Sequence, residues 1–250
     1  MSGRGTFLLA AGVAAASALL AGAAPKGPAR LLVVTVTKGF HHDSIATIEK
    51  VLQGLADSSK AFTLDYARTD EDLAAKASVK ALAAYDGVVF ASTTGDLPLP
   101  DRDGFINWIG EGHAFVGIHA ATDTFPGFPG YLDMIGGQFK HHGPQTTVEA
   151  FVRDADSPAT RDLPKSFSVF DEIYQFQRYD PARVHVLLAM TKHPETREDG
   201  EFPLAWTREQ GKGRVFYTAL GHRDDVLQAG WYKWHLMGGI RWALGIDAAS

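Results

Sequence analysis

The first half of the chain alternates short apolar runs with amphipathic stretches. Residues 31–37 form a continuous apolar run rich in β-branched residues, typical of a strand buried on both faces of a parallel sheet. The stretch after it, capped by Asp43 or Ser44, places apolar residues at helical spacing along one face. The alternation continues, and it predicts strands at residues 62–67, 87–91 and 114–118 and helices at residues 70–84 and 100–109. Four strand–helix units predict a doubly wound sheet whose strands end along one edge.

The second half is less regular. Residues 146–152 and 184–190 are predicted to be strands, and residues 231–244 form a closing amphipathic helix. Residues 204–208 and 214–219 flank a glycine-containing turn, which predicts a β-hairpin. The fold class predicted from the pattern is therefore α/β, a mostly parallel doubly wound sheet with an added antiparallel hairpin.

The N-terminus has a different composition. Arg4, an Ala/Leu-rich run over residues 7–20 and Ala-Gly-Ala at residues 21–23 predict a signal peptide over residues 1–24. A helix needs about 20 apolar residues to cross a bilayer, and this run is shorter, so we expect no membrane span in the mature chain. The alternative is that the segment is retained as an N-terminal anchor. Residues 25–29 are interpreted as a linker and residues 30–247 as one domain, exported to the periplasm or the extracellular space.

Composition narrows the possible functions. The 250 residues are 45% hydrophobic, which suits one domain with a sizeable core. The absence of cysteine excludes disulfides, a cysteine nucleophile and a lipoprotein anchor. The net charge is −5 with no run of Lys or Arg, so nucleic acid is not an expected partner. The oligomeric state stays open.

Candidate chemistry lies where the strands end, because ligands of open α/β sheets bind outside the carboxyl ends of the strands. A single histidine there is usually a capping or hydrogen-bonding residue, but histidines at three strand ends favour a functional cluster. The polar residues at these ends are His41, His42, Asp96, His119, Asp123 and His222, with His141, His142, Asp171 and Glu172 as further candidates. The remaining histidines, His113, His185, His193 and His235, are predicted to be structural or solvated.

Two kinds of chemistry fit such a cluster. His42, His119 and His222, with the carboxylate of Glu172, would suit a divalent metal such as Zn²⁺ or Mn²⁺. The same side chains would equally serve as general acids and bases without a metal. No H-E-x-x-H, G-x-S-x-G, G-x-G-x-x-G or Walker-type motif is present, so residue spacing leaves both open.

Six segments in order, KGFHHDSI, YDGVVFASTTGDL, FVGIHAATDTF, IGGQFKHHG, DEIYQF and ALGHRDD, resemble the ThuA-like (trehalose-utilisation) family across residues 30–245. The resemblance implies a flavodoxin-like sheet related to the class I glutamine amidotransferases. Those enzymes carry a cysteine at the tight turn after a central strand. Here that turn is Gly117-Ile118-His119-Ala120, so the resemblance does not imply glutamine amidotransferase activity.

The resemblance also implies a substrate class, because the family is linked to disaccharides and to the 3-keto sugars that dehydrogenases form. His42, His119, Glu172 and His222 match its motif positions and are the expected catalytic residues. The expected substrate-binding residues are Asp123, His142, Tyr174 and Phe40. Nearby aromatic residues could stack on a sugar or belong to the core: Phe40, Phe125, Phe128, Tyr174 and Phe176.

Three functional hypotheses follow. The first is an exported enzyme that acts on a disaccharide or 3-keto-glycoside by hydrolysis, elimination or isomerisation, with Glu172 or a histidine as base. The second is a non-catalytic sugar-binding module that works with a partner enzyme. The third, a structural or interaction protein, would require an exposed apolar patch and no polar cleft.

Overall fold

A computed structural model describes residues 27–246, so the predicted signal peptide and the first two residues of the predicted linker lie outside the described residues. The strands are β1 (Ala29–Val34), β2 (Phe62–Ala67), β3 (Gly87–Ala91), β4 (Ala114–Ile118), β5 (Gln138–His142), β6 (Thr146–Val152), β7 (Ser166–Asp171), β8 (Tyr174–Gln177), β9 (His185–Lys192), β10 (Asp199–Gln210) and β11 (Gly213–Thr218). The helices are α1 (Ile45–Ser59), α2 (Asp70–Lys76), α3 (Val79–Leu82), α4 (Arg102–Gly110), α5 (Pro129–Ile135), α6 (Asp224–Gln228) and α7 (Gly230–Leu244), and 3₁₀ turns lie at His119–Asp123 and Pro181–Arg183. Between residues 27 and 246 no helix has the length and hydropathy needed to cross a bilayer.

The central sheet has nine strands in the order β2-β1-β3-β4-β11-β10-β9-β6-β7. The first five strands in this order (β2, β1, β3, β4 and β11) are all parallel, and they follow the strand order of a flavodoxin-like fold. The remaining pairs are antiparallel, and β11 is both the second arm of the predicted hairpin and the fifth parallel strand. The predicted fold class is confirmed. A separate two-stranded sheet, β5-β8, carries residues that reach the site described below.

Two apolar layers enclose the sheet. On β1, Leu31 and Val33 pack in one layer with α1 and α7, whereas Leu32 and Val34 pack in the other layer with α2 and α4. All four side chains are fully buried. Because both faces of the strand are covered, its sequence is continuously apolar, and this explains why the pattern identified it.

The observed elements differ from the predicted ones in several places. The helix predicted over residues 70–84 is broken into α2 and α3, because Ser78 accepts a hydrogen bond from the Ala81 backbone N–H and so caps a new helix. β1 begins at Ala29, inside the predicted linker, where the residue is buried and pairs with Phe62. No element was predicted at β5, β7, β8 or α6.

Candidate functional site

Four side chains converge beyond the carboxyl ends of the parallel strands. His42 follows β1, His119 follows β4, His222 follows β11, and Glu172 lies between β7 and β8. The ring centroid of His42 lies 4.8 Å from that of His119 and 5.4 Å from that of His222, and the last two are 5.3 Å apart. One nitrogen or carboxylate oxygen of each residue lies within 4.8 Å of the others. The structure therefore brings together all four residues that the resemblance indicated.

The orientation of His119 is fixed by the backbone on both sides of it. Its φ of +50° places this non-glycine residue in the left-handed region, at the sharp turn between β4 and the following 3₁₀ turn. Its Nδ1 lies 2.8 Å from the Ala219 carbonyl, and the Tyr217 hydroxyl donates to the His119 carbonyl at 2.8 Å. A carbonyl only accepts, so Nδ1 carries the proton, and Nε2 is the nitrogen that faces Glu172.

Glu172 is the common neighbour of the imidazoles. Its Oε2 lies 3.4 Å from His119 Nε2 and 3.3 Å from His222 Nδ1, and its Oε1 lies 3.3 Å from His142 Nδ1. Only 7% of the residue is exposed. The carboxylate therefore lies between the buried imidazole of His119, the partly buried imidazole of His222 and the exposed imidazole of His142.

Asp171 holds the Glu172 segment in place. Its Oδ1 accepts the Glu172 backbone N–H at 3.0 Å, and its Oδ2 accepts the Gly221 backbone N–H at 2.7 Å. The side chain is buried and links the end of β7 to the turn that carries His222. Asp171 was predicted only as a strand-end candidate without a role, because nothing local in the sequence indicates that its partner lies fifty residues away.

The charges of the cluster follow from burial and proximity. Burial alone would raise the pKa of Glu172, but the imidazoles of His119 and His222 outweigh it and hold the pKa well below its usual range. Burial, reinforced by His119 and His222, lowers the pKa of His42 to about 3. The Glu172 carboxylate raises the pKa of His222 despite partial burial. At neutral pH the centre therefore combines an ionised carboxylate with a neutral His42.

The donor atoms fit a divalent cation. His42 Nδ1, His119 Nε2 and His222 Nδ1 are buried and have no hydrogen-bond partner among the described residues. The contacts of 3.3 and 3.4 Å to Glu172 exceed a charge-assisted hydrogen bond. These two separations match the edge of a tetrahedron with metal–ligand bonds of 2.0–2.1 Å, which is about 3.3 Å, while the four donor atoms as a set lie within 4.8 Å of one another. The Ala219 carbonyl also fixes the orientation of the His119 ring by accepting its Nδ1 proton. Histidines that bind a metal through one ring nitrogen are commonly held through the other nitrogen in the same way.

Three of the four predicted substrate-binding residues touch this cluster. The His142 side chain is 41% exposed, and its Nδ1 donates to the Gly143 carbonyl at 2.8 Å beside Glu172. Tyr174 is buried with its ring 4.4 Å from that of His119. Phe40 is 66% exposed and meets His42 edge-on at 4.8 Å. The fourth, Asp123, ends the 3₁₀ turn that His119 begins, and burial raises its pKa.

Other candidates have structural partners instead. Asp96 pairs with Arg102, His41 contacts the Thr37 hydroxyl, and His141 pairs with Glu195. Phe125 is fully buried, and Phe128 and Phe176 pack against the same apolar layer, so these three belong to the core. The four histidines predicted to be structural or solvated contact the Trp108 carbonyl (His113), Asp154 (His185), Gln175 (His193) and the Ala159 carbonyl (His235).

The fold and the site define a flavodoxin-like α/β protein with a buried histidine–carboxylate centre at its strand ends. Residues 30–243 match the family model ThuA, described as trehalose utilisation, and the chain belongs to this family. The family is associated with carbohydrates, and this gives the protein a carbohydrate-related function.

Solved structures agree with this assignment. A ThuA-like protein from Parabacteroides merdae is 21% identical with a TM-score of 0.74, covering 89% of this chain and 92% of its own. A ThuA-like protein from Bacteroides uniformis is 24% identical with a TM-score of 0.70, covering 88% and 93%. A β-galactosidase from Bacillus circulans sp. alkalophilus shares only the fold, at 15% identity and a TM-score of 0.52, covering 87% of this chain and 31% of its own. No curated protein matches the chain.

Proposed function

We propose that this protein is an exported, metal-dependent enzyme that cleaves 3-keto-glycosides. The observation that carries the proposal is a set of three buried imidazole nitrogens around one ionised carboxylate, none of which has a hydrogen-bond partner in the described part of the chain. Export rests on the composition of residues 1–24 alone. The metal, Zn²⁺ or Mn²⁺, would be held by His42, His119, His222 and Glu172.

The substrate class rests on the family association with trehalose utilisation and on the surroundings of the cluster. Phe40 offers an exposed aromatic edge and face beside His42, suited to the apolar face of a pyranose ring. Asp123 offers a carboxylate to the sugar hydroxyls. A 3-keto group makes the adjacent C2–H bond acidic, so a base and a stabiliser of negative charge suffice to begin elimination.

His142 is the proposed base. Its Nδ1 proton is held by the Gly143 carbonyl and Glu172, so the free Nε2 is the basic nitrogen of a ring that reaches the surface. Nε2 takes the C2 proton, a C1–C2 double bond forms, and the C1–O bond to the departing sugar breaks. That oxygen then takes a proton from solvent or from the His142 imidazolium. A bound divalent cation supplies Lewis-acid stabilisation of the charge that develops on the 3-keto oxygen. Addition of water to the product gives net hydrolysis.

The test compares 3-keto-trehalose with trehalose in the presence of Zn²⁺ or Mn²⁺, followed by NMR in D₂O. We expect cleavage of the keto sugar only, with deuterium incorporated at C2. His142→Gln should lower kcat by about 10²–10⁴-fold, the contribution of a positioned base, while metal content stays unchanged. His193→Gln is the matched control, because His193 contacts Gln175 outside the cluster.

Two results would overturn the proposal. If the keto sugar binds but is never converted, and His119→Ala leaves its affinity intact, the protein is a sugar-binding module that works with a partner enzyme. If His142→Gln converts the substrate at the wild-type rate, the base lies elsewhere. Circular dichroism of each variant separates loss of chemistry from loss of folding.

A further inference from the structure

A groove runs between α1 and α7 on the helical face of the sheet, away from the histidine cluster. It consists of two cavities of about 560 and 350 Å³ that share Leu55 and Lys233 among their lining residues. Both volumes lie in the range of small-ligand sites. No residue of the histidine cluster lines either cavity.

The groove carries a charge opposite to that of the whole chain. Its lining includes four cations, Lys50, Arg161, Lys233 and Arg241, and one carboxylate, Asp162. The chain has a net charge of −5. None of the four cations forms an ion pair with a residue between 27 and 246. The local excess of positive charge therefore favours an anionic ligand.

Two side chains of α7 give this charge a particular chemistry. The Nε of Arg241 is buried and has no hydrogen-bond partner among the described residues. Arg241 as a whole lines the smaller cavity, and the fork of a guanidinium binds a carboxylate with directed hydrogen bonds. About two turns earlier on the helix, Trp234 lines the same cavity and is 60% exposed. An exposed indole beside a guanidinium suits a ring with an apolar face and an acidic substituent.

We propose that this groove binds an acidic saccharide, a sugar that carries a carboxylate, as a site separate from the histidine cluster. The carboxylate pairs with Arg241 and Arg161, and the sugar ring stacks on Trp234. Lys50 and Lys233 extend the basic lining into the larger cavity, so a chain of two or three acidic units fits better than one. The proposal does not depend on the cleavage reaction.

Isothermal titration calorimetry of the full chain with trigalacturonate at 50 mM NaCl tests this site, with maltotriose as the neutral comparison. We expect trigalacturonate to bind at least tenfold more tightly than maltotriose and to weaken severalfold at 500 mM NaCl. Trp234→Ala and Arg241→Gln should each weaken binding about tenfold or more. Arg197→Gln, which removes an exposed cation outside the groove, should leave it unchanged.

Several outcomes would overturn the proposal. Equal affinity for the two trisaccharides would show that charge plays no part, and wild-type binding by Arg241→Gln would place the ligand elsewhere. Loss of binding in His119→Ala, with Trp234→Ala unaffected, would assign the ligand to the histidine cluster. A dimer in sedimentation that Trp234→Ala dissociates would make the groove an interface between two copies of the chain.

Discussion

Replacement of Glu172 by glutamine tests the proposed metal centre most directly. The change keeps the shape of the side chain but removes the negative charge that lies 3.4 Å from His119 Nε2 and 3.3 Å from His222 Nδ1. A neutral amide is a weaker ligand than a carboxylate for a divalent cation. The variant should therefore bind Zn²⁺ or Mn²⁺ much less tightly than the wild type.

The size of the effect can be worked out from binding linkage. At a free metal concentration of 100 times Kd, binding stabilises the native state by about 2.7 kcal/mol. For a chain of this size each kcal/mol raises Tm by about 2–4 °C, so the wild type should gain about 5–11 °C. Loss of an outer-shell partner costs about 10–100-fold in affinity, and loss of a ligand should cost at least 100-fold. The same metal concentration then equals the new Kd, and the gain falls to about 0.4 kcal/mol, or about 1 °C.

The assay is a thermal-unfolding titration of chelator-treated protein with Zn²⁺ and Mn²⁺, with elemental analysis of untagged protein. Glu195→Gln is the matched control, because Glu195 is an exposed carboxylate that pairs with His141 rather than with the cluster. It should retain the full increase in Tm. A wild-type increase in Glu172→Gln, or no stoichiometric metal in the supplemented wild type, would refute the reasoning.

Two further predictions concern stability. Asp171→Ala should lower the free energy of unfolding by about 2–6 kcal/mol. The buried N–H groups of Glu172 and Gly221 would each lose their acceptor, and each loss costs about 1–3 kcal/mol. Urea unfolding measures this change, and a loss below about 1 kcal/mol would contradict the prediction. Burial lowers the pKa of His235 to about 4, below its ordinary value of 6.5, so the unfolded chain takes up a proton first as the pH falls. The free energy of unfolding should therefore fall by about 3 kcal/mol between pH 6.5 and 4. Urea unfolding of His235→Leu at several pH values should lack this part of the pH dependence. An unchanged pH dependence in the variant would show that His235 is not the cause.

The parallel half of the fold could be predicted because its burial is symmetric. β3 and β4 are buried at every position, so their sequences are continuous apolar runs with the bounds that the structure shows. The strand-end positions of His42, His119 and His222 then follow, since parallel strands end at one edge. The pattern offered Glu172 as a candidate carboxylate for this cluster, and the family resemblance singled it out as catalytic. Neither could show how it reaches the histidines, because its position depends on the pairing of β7 with β6 and of β6 with β9.

The small sheet β5-β8 shows why the remainder was missed. β5 is Gln-Phe-Lys-His-His and only partly buried, so it has none of the apolar alternation that identifies a strand. His141 and His142 were predicted together as candidates, but neighbours in a strand point to opposite faces. His141 contacts Glu195 and His142 contacts Glu172. Only the pairing of β5 with β8 determines which of the two reaches the cluster.

The histidine cluster is costly as a structural element, and this cost supports a functional interpretation. A buried carboxylate is unfavourable in a protein interior, and so are the three buried imidazole nitrogens that have no hydrogen-bond partner between residues 27 and 246. The left-handed backbone at His119 adds strain of about 1–3 kcal/mol. Packing alone would be better served by apolar side chains of similar size. The chain instead uses the Ala219 carbonyl, the Tyr217 hydroxyl and the Asp171 carboxylate to fix the orientation of the cluster. A site that binds a cation or a substrate requires such rigid support around its side chains. A cluster that served only the stability of the fold would not require it.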